Sequence, residues 1–222
     1  MQARVKICGL STPAVLEAAI ANGADFAGFV IFPKSPRHVD VAGAKALAAI
    51  ARGRTQSVVL LVDPDDALFD EVQTQVAPDF IQLHGRETPE RVAHLRARGT
   101  TPIIKALPVT TRDDVARADV YRHEGHADLI LFDAAPSAAS SEALPGGNGL
   151  RFDWTILSGM AEQFDFALAG GLDAENVAEA IRQTGAAIVD VSSGVESSPG
   201  VKDPDLIARF LDAAKSTIVR NG

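Results

Sequence analysis

The residues of this chain best suited to chemistry sit at the ends of short apolar runs. Cys8 closes Ala3–Cys8, His84 closes Phe80–His84 and Asp133 closes Leu129–Asp133. Side chains alternate between the two faces of a strand. Lys6 therefore shares a face with Cys8, Gln82 with His84, Leu131 with Asp133 and Asp190 with Ser192. A second signal lies in Ala187–Asp203. An apolar, β-branched run stops at Ser192-Ser193-Gly194, where small residues let backbone N–H groups approach an anion. Lys202 adds a positive charge, and Asp203-Pro204 opens a last helix with a cap residue and a proline at its first position. Strand, small-residue loop and helix make a phosphate site in an α/β protein. An ordinary connection between strand and helix gives the same local pattern.

Eight strand-like runs must position these residues. They are Ala3–Cys8, Phe26–Phe32, Ser57–Val62, Phe80–His84, Ile103–Leu107, Leu129–Asp133, Phe164–Ala169 and Ala187–Val191. Most are rich in Val, Ile, Leu and Phe, as parallel strands covered by helices are. Between them lie one-face apolar stripes with caps in front. Thr12-Pro13 precedes Val15, Leu16, Ala19 and Ile20; Thr88-Pro89 precedes Val92 and Leu95. Asp173 precedes a helix over Ala174–Gln183, and Asp203-Pro204 precedes Leu206, Ile207, Phe210 and Leu211. Eight strand–helix units predict an α/β fold, a single (β/α)8 TIM barrel filling residues 1–222. An open doubly wound sheet is the rival, weakened because no G-x-G-x-x-G follows the first strand. Ala134–Gly149, rich in Ala, Ser, Pro and Gly, is expected to be a long flexible loop at the C-terminal face, not a domain boundary. On the barrel reading, the shared parity puts a polar site at the barrel mouth. Lys6, Gln82 and Asp190 lie deeper, and a buried polar network without chemistry is the alternative for them.

The bulk numbers narrow the function. Hydrophobic residues make up 46% and charged residues 23%, ordinary for a globular protein, and the net charge is −8. A nucleic-acid partner would want a basic face, so none is expected. One cysteine permits no internal disulfide, which fits a reducing compartment. Val5-Lys6-Ile7-Cys8 is short and charged for a signal peptide, and no apolar run approaches bilayer length. A cytoplasmic protein with no membrane partner is the expectation.

Taken together, the motifs resemble the phosphoribosylanthranilate isomerase family over nearly the whole chain. They are Lys6-Ile7-Cys8-Gly9-Leu10, Phe32-Pro33-Lys34-Ser35-Pro36-Arg37, Ile81-Gln82-Leu83-His84-Gly85, Leu131-Phe132-Asp133 and Gly146-Gly147-Asn148-Gly149 with Phe152-Asp153-Trp154. Leu168-Ala169-Gly170-Gly171-Leu172 and Asp190-Val191-Ser192-Ser193-Gly194-Val195-Glu196 with Pro199-Gly200-Val201-Lys202-Asp203 complete the set, all in order. Two positions depart from the family pattern: Asn148 stands where Thr is expected, and Phe132-Asp133-Ala134 where Leu-Asp-Ser is usual.

The resemblance implies an Amadori rearrangement of N-(5-phosphoribosyl)anthranilate to 1-(2-carboxyphenylamino)-1-deoxyribulose 5-phosphate in tryptophan biosynthesis. It casts Asp133 as the acid that opens the furanose and Cys8 as the base that removes the C2 proton. The alternatives are a strand-end cap for Asp133 and, for a cysteine taken alone, the commoner small buried hydrophobe. Arg37 is expected to clamp the anthranilate carboxylate, as lysine could not, or else to be a surface arginine after a Ser-Pro turn. His84 is expected to line the pocket, or to be a satisfied core histidine. Backbone N–H groups at Gly170, Gly171, Ser193 and Gly194 are expected to hold the phosphate. No cofactor is expected, since the reaction is redox-neutral. No metal is expected either, since His38, His94, His123 and His126 lack zinc-site spacing. The partner is a small phosphosugar substrate, and the chain is expected to be a monomer or homodimer. The rivals are another phosphosugar barrel, such as indole-glycerol-phosphate synthase, for which Lys6 and Lys105 alone do not supply the lysine–glutamate set, and a non-catalytic phosphosugar-binding barrel.

Overall fold

A computed structural model describes residues 2–135, 149 and 151–218. Eight parallel strands close into a barrel in chain order. They are β1 (Arg4–Cys8), β2 (Phe26–Ile31), β3 (Gln56–Leu61), β4 (Phe80–Leu83), β5 (Ile103–Val109), β6 (Leu129–Ala134), β7 (Phe166–Leu168) and β8 (Ile188–Val191). Closure comes from β1 pairing β8, with Lys6 opposite Asp190. The helices α1 (Pro13–Ala21), α2 (Val41–Ala51), α3 (Asp66–Glu71), α4 (Pro89–Arg96), α5 (Arg112–Ala116), α6 (Ala118–His123), α7 (Val177–Thr184) and α8 (Pro204–Lys215) surround it. Most of the expected Ala134–Gly149 loop lies outside the described residues. Between β6 and β7 the described residues form two 3-10 turns, Trp154–Leu157 and Met160–Glu162, and no α-helix.

Strand alternation sorts the apolar residues into two cores. One parity, including Val5, Ile7, Phe29, Leu61, Ile103, Phe132 and Val189, packs outward against the helices. There Phe132 and Phe166 meet edge to face at 5.4 Å. The other parity fills the barrel: Phe26, Val58, Ile104, Ala106, Leu131 and Ala167 form the lower plug, with Cys8, Val30 and Leu60 above it. The polar residues expected on the inner face sit on this second parity.

Local chemistry starts the helices where the sequence says it should. The Thr12 hydroxyl accepts from Val15 N, the Thr88 hydroxyl from Arg91 N, and the Asp203 carboxylate from Asp205 N and Leu206 N. Helix α7 is the exception. It was expected from Ala174 but begins at Val177, because Asp173 Oδ1 first accepts from Glu175 N and Asn176 N and holds a turn there. A second departure follows β8. The loop does not run straight into α8: Ser193–Val195 makes a 3-10 turn, and β9 (Glu196–Ser198) and β10 (Val201–Lys202) form a small antiparallel hairpin before Pro204.

Candidate active site

One cavity opens at the C-terminal ends of the strands. Cys8, Arg37, His84 and Asp133 line it together with Gly170, Gly171, Ser192 and Ser193, and Asp190 forms part of its floor. The sequence-expected residues are thus brought together, with the exceptions of Gly194 and Lys202.

Cys8 is buried at the top of β1, opposite Gly28 of β2. A side chain at Gly28 would reach within 3.3 Å of both Cys8 Sγ and Lys6 Cε, so glycine there leaves room for the thiol and the lysine stem. Lys6 Nζ donates to Asp190 Oδ2 at 2.8 Å, with both groups almost wholly buried. Burial works to discharge Lys6, but Asp190 and Cys8 outweigh it and hold the ammonium above the usual lysine range. Burial pushes the Cys8 thiol up, against the downward pull of Lys6 and Lys202. A nearby cation lowers a thiol where solvation is kept. Two cations are present, yet desolvation dominates, so the resting thiol is protonated. Asp190 Oδ1 is buried and has no hydrogen-bond partner among the described residues.

On the opposite wall, His84 links β4 to β6. His84 Nε2 lies 3.1 Å from Asp133 Oδ2, and His84 Nδ1 lies 2.8 Å from Gln82 Nε2. Asp133 Oδ1 accepts from Ala134 N at 2.8 Å. Gly170 presses on this strand end: its φ is +91°, and a Cβ there would sit 2.7 Å from Ala134 N and 3.2 Å from Asp133 Oδ1. Only glycine admits both the left-handed backbone and the close approach.

Arg37 is held from two sides. The Ser35 hydroxyl accepts from Arg37 N at 3.2 Å, and Phe32 N donates to His38 Nδ1 at 3.1 Å, which folds the loop back on β2. Its guanidinium forks onto Glu196, Nε to Oε1 at 2.7 Å and Nη2 to Oε2 at 2.8 Å. Arg37 is therefore a buried, paired residue and not a surface one. Glu196 was quoted in the sequence without a role. It also accepts from Lys202 Nζ at 2.7 Å and from Gly200 N at 3.2 Å. Burial works to raise its carboxyl, but Arg37 and Lys202 hold it below the usual glutamate range.

Two details of the anion loop differ from expectation. Lys202 does not line the cavity; its ammonium is buried against Glu196 and the Ser192 carbonyl, so its charge is neutralised within the protein. Gly194 does not line the cavity either. Its Cα packs against the Leu172 carbonyl so closely that a Cβ would collide with it, which locks the loop after β8 onto the loop after β7. Among the described residues no group of His, Cys, Asp and Glu is arranged to hold a metal ion, and no helix is long and apolar enough to cross a membrane. Lys105, weighed with Lys6 for a synthase, shares its parity with the outward-facing Ile103 and Leu107 and meets Glu87 outside the barrel wall.

A family model described as N-(5'phosphoribosyl)anthranilate (PRA) isomerase matches residues 5–213. An N-(5'-phosphoribosyl)anthranilate isomerase from Rhodopseudomonas palustris is 52% identical over 214 residues, covering 96% of each chain. One from Parvibaculum lavamentivorans is 49% identical over 215 residues, covering 97% of this chain and 99% of its own. The crystal structure of the Thermotoga maritima enzyme superposes with a TM-score of 0.85 at 33% identity, over 96% of this chain and 99% of that one. A phosphoribosyl anthranilate isomerase solved with reduced 1-(o-carboxyphenylamino)-1-deoxyribulose 5-phosphate superposes with a TM-score of 0.82 at 32% identity, over 96% of this chain and 99% of that one.

Proposed function

The chain belongs to the N-(5'-phosphoribosyl)anthranilate isomerase family, and from that premise we propose how its residues divide the work. The reaction is an Amadori rearrangement of N-(5-phosphoribosyl)anthranilate in tryptophan biosynthesis. Asp133 gives its proton to the furanose ring oxygen. The C1–O bond breaks toward that oxygen, and the anthranilate nitrogen lone pair closes a C1=N iminium. The iminium acidifies the C2 proton, so Cys8 needs only modest basicity to take it. The resulting enolamine becomes the ketone as C1 gains a proton and the C2 hydroxyl loses one. Atoms and charge balance without an electron acceptor or donor.

The observation that carries this reading is a shared cavity. Cys8 on β1 and Asp133 on β6 both open into a space rimmed by Gly170, Gly171 and Ser193. The backbone around those residues, with Gly194 as the spacer behind it, holds the phosphate. Arg37, aligned by Glu196, takes the anthranilate carboxylate, and His84 lines the sugar's side of the pocket. The resting thiol is protonated, so Cys8 must lose its proton before it can act; Lys6 favours that loss. The chain works in the cytoplasm, where its one cysteine stays reduced. It is one barrel domain, a monomer or a homodimer, and the Thermotoga maritima relative is dimeric.

Purified protein should turn over phosphoribosylanthranilate with no added metal or nucleotide. Asp133→Asn and Cys8→Ala should each lower kcat by about 10²–10⁴ with an unchanged unfolding midpoint. Near-normal kcat in both variants would remove them as acid and base. Arg37→Ala should act mainly on KM, and an unchanged KM would end the clamp role.

A further inference from the structure

Gln82 is fully buried inside the barrel, between Leu60 of β3 and Ile104 of β5. Its amide nitrogen lies 2.8 Å from His84 Nδ1, while its Oε1 has no partner among the described residues. A buried amide with an idle oxygen weakens a core that an apolar residue would fill without loss. Its presence there calls for another reason, and the chain Gln82–His84–Asp133 supplies one.

We propose that Gln82 is a positioning residue that fixes the tautomer of His84, so that His84 steadies Asp133 without competing for its proton. An amide nitrogen only donates, so His84 Nδ1 must accept and therefore carries no hydrogen. The ring's hydrogen then sits on Nε2, which donates to Asp133 Oδ2 across 3.1 Å. With Ala134 N–H on Oδ1, the carboxyl is oriented from both ends. In the other tautomer a bare Nε2 would face Asp133 and accept the acid's proton, drawing it away from the sugar ring oxygen. The charged groups around this pair are Asp190, which acts electrostatically on both members, and Lys6, paired to Asp190. None of them contacts Nδ1; among the described residues Gln82 is the partner recorded there, and it sets the tautomer together with the Asp133 carboxyl on Nε2. The inference rests on Asp133 being the acid.

The test uses Gln82→Met, which keeps length and apolar fit, and Gln82→Glu, whose carboxylate accepts when ionised. Imidazole nitrogen NMR, with the His84 signals assigned through His84→Asn, reads the tautomer directly. Wild-type His84 should show its hydrogen on Nε2 and none on Nδ1. Gln82→Met should show a mixture of tautomers, and Gln82→Glu a hydrogen on Nδ1. In Gln82→Met, kcat should fall about 10–100-fold, in the range of outer-shell partners of functional imidazoles, with KM changing far less. An unaltered His84 tautomer in both variants, or wild-type kcat in Gln82→Met, would overturn the proposal. Asp133→Asn, measured in parallel, separates the two levels. An active Asp133→Asn would refute the acid assignment itself, whereas an inactive one beside an unaffected Gln82→Met would refute Gln82's role alone.

Discussion

Two lysines sit on barrel strands, both almost completely buried and both paired with a carboxylate, yet they do different things. Lys105 on β5 faces the helices. Its ammonium donates to Glu87 Oε2 and to the Gly85 carbonyl at 3.0 Å, with the Leu83 carbonyl at 3.5 Å. Glu87 in turn accepts from Asp63 N and Gly85 N, and the Tyr121 ring packs near the ammonium. Lys6 on β1 faces the lumen. It shares one bond with Asp190, whose other oxygen is idle on the cavity floor, and it lies beneath the thiol. Burial pulls the Lys105 ammonium below the usual lysine range despite Glu87, whereas Lys6 is held above it. Burial and pairing alone do not separate structure from function. Completeness of pairing does: a saturated network holds loops, and an unsaturated one faces substrate.

The largest effect should come from Lys105→Met. It leaves Glu87 charged and buried, so about 3–5 kcal/mol of unfolding free energy should go, measured by denaturant titration. The kcat of the remaining folded protein should stay near wild type. Lys6→Met should invert that pattern. Burial already raises the Asp190 carboxyl, so once Lys6 is gone it takes up a proton more readily than Glu87 and the stability loss should be smaller. The thiol, however, loses its strongest downward influence and should rise further. Alkylation of Cys8 at a fixed pH should slow, and kcat should fall about 10-fold or more, equivalent to about 1.4 kcal/mol. If the two variants lost stability and activity in the same proportion, the contrast between the lysines would be gone.

Parity along the strands made most of this site legible in the sequence. All eight strands lie within about two residues of their observed bounds, because parallel strands covered on both faces are continuous apolar runs. The same parity places Lys105 outside, since Ile104 and Ala106 fill the lumen. The β9–β10 hairpin was not legible. Strands of two or three residues show no period, and the stretch from Ser192 to Asp203 read as one connection into the last helix. That miss carried Lys202 with it: only the hairpin brings it back to Glu196 and takes its charge out of the pocket. The Gln82–His84–Asp133 chain was also hidden. Barrel closure decides which side chains meet across β4 and β6, whereas spacing in sequence decides only which face each occupies.

Glu196 falls between the two lysine pairs and offers the finest discrimination. Its carboxylate is fully engaged by Arg37, Lys202 and Gly200, like Glu87, but one of those partners lines the cavity. Its folded carboxyl titrates below the ordinary glutamate value of about 4.3, because two cations outweigh its burial. A group shifted that way stabilises the fold above its unfolded pKa, and the contribution disappears as pH falls through the folded one. Wild-type stability should therefore drop as pH is lowered from about 5 to about 3. Glu196→Gln should start lower at neutral pH, lose less over that interval and converge with wild type in acid. The same variant should raise KM modestly, through a less well aligned Arg37, and leave kcat nearly unchanged. Parallel stability curves would show that Arg37 and Lys202 do not depend on the Glu196 charge; a changed kcat with constant KM would move Glu196 from aligning Arg37 to the proton chemistry at the other wall.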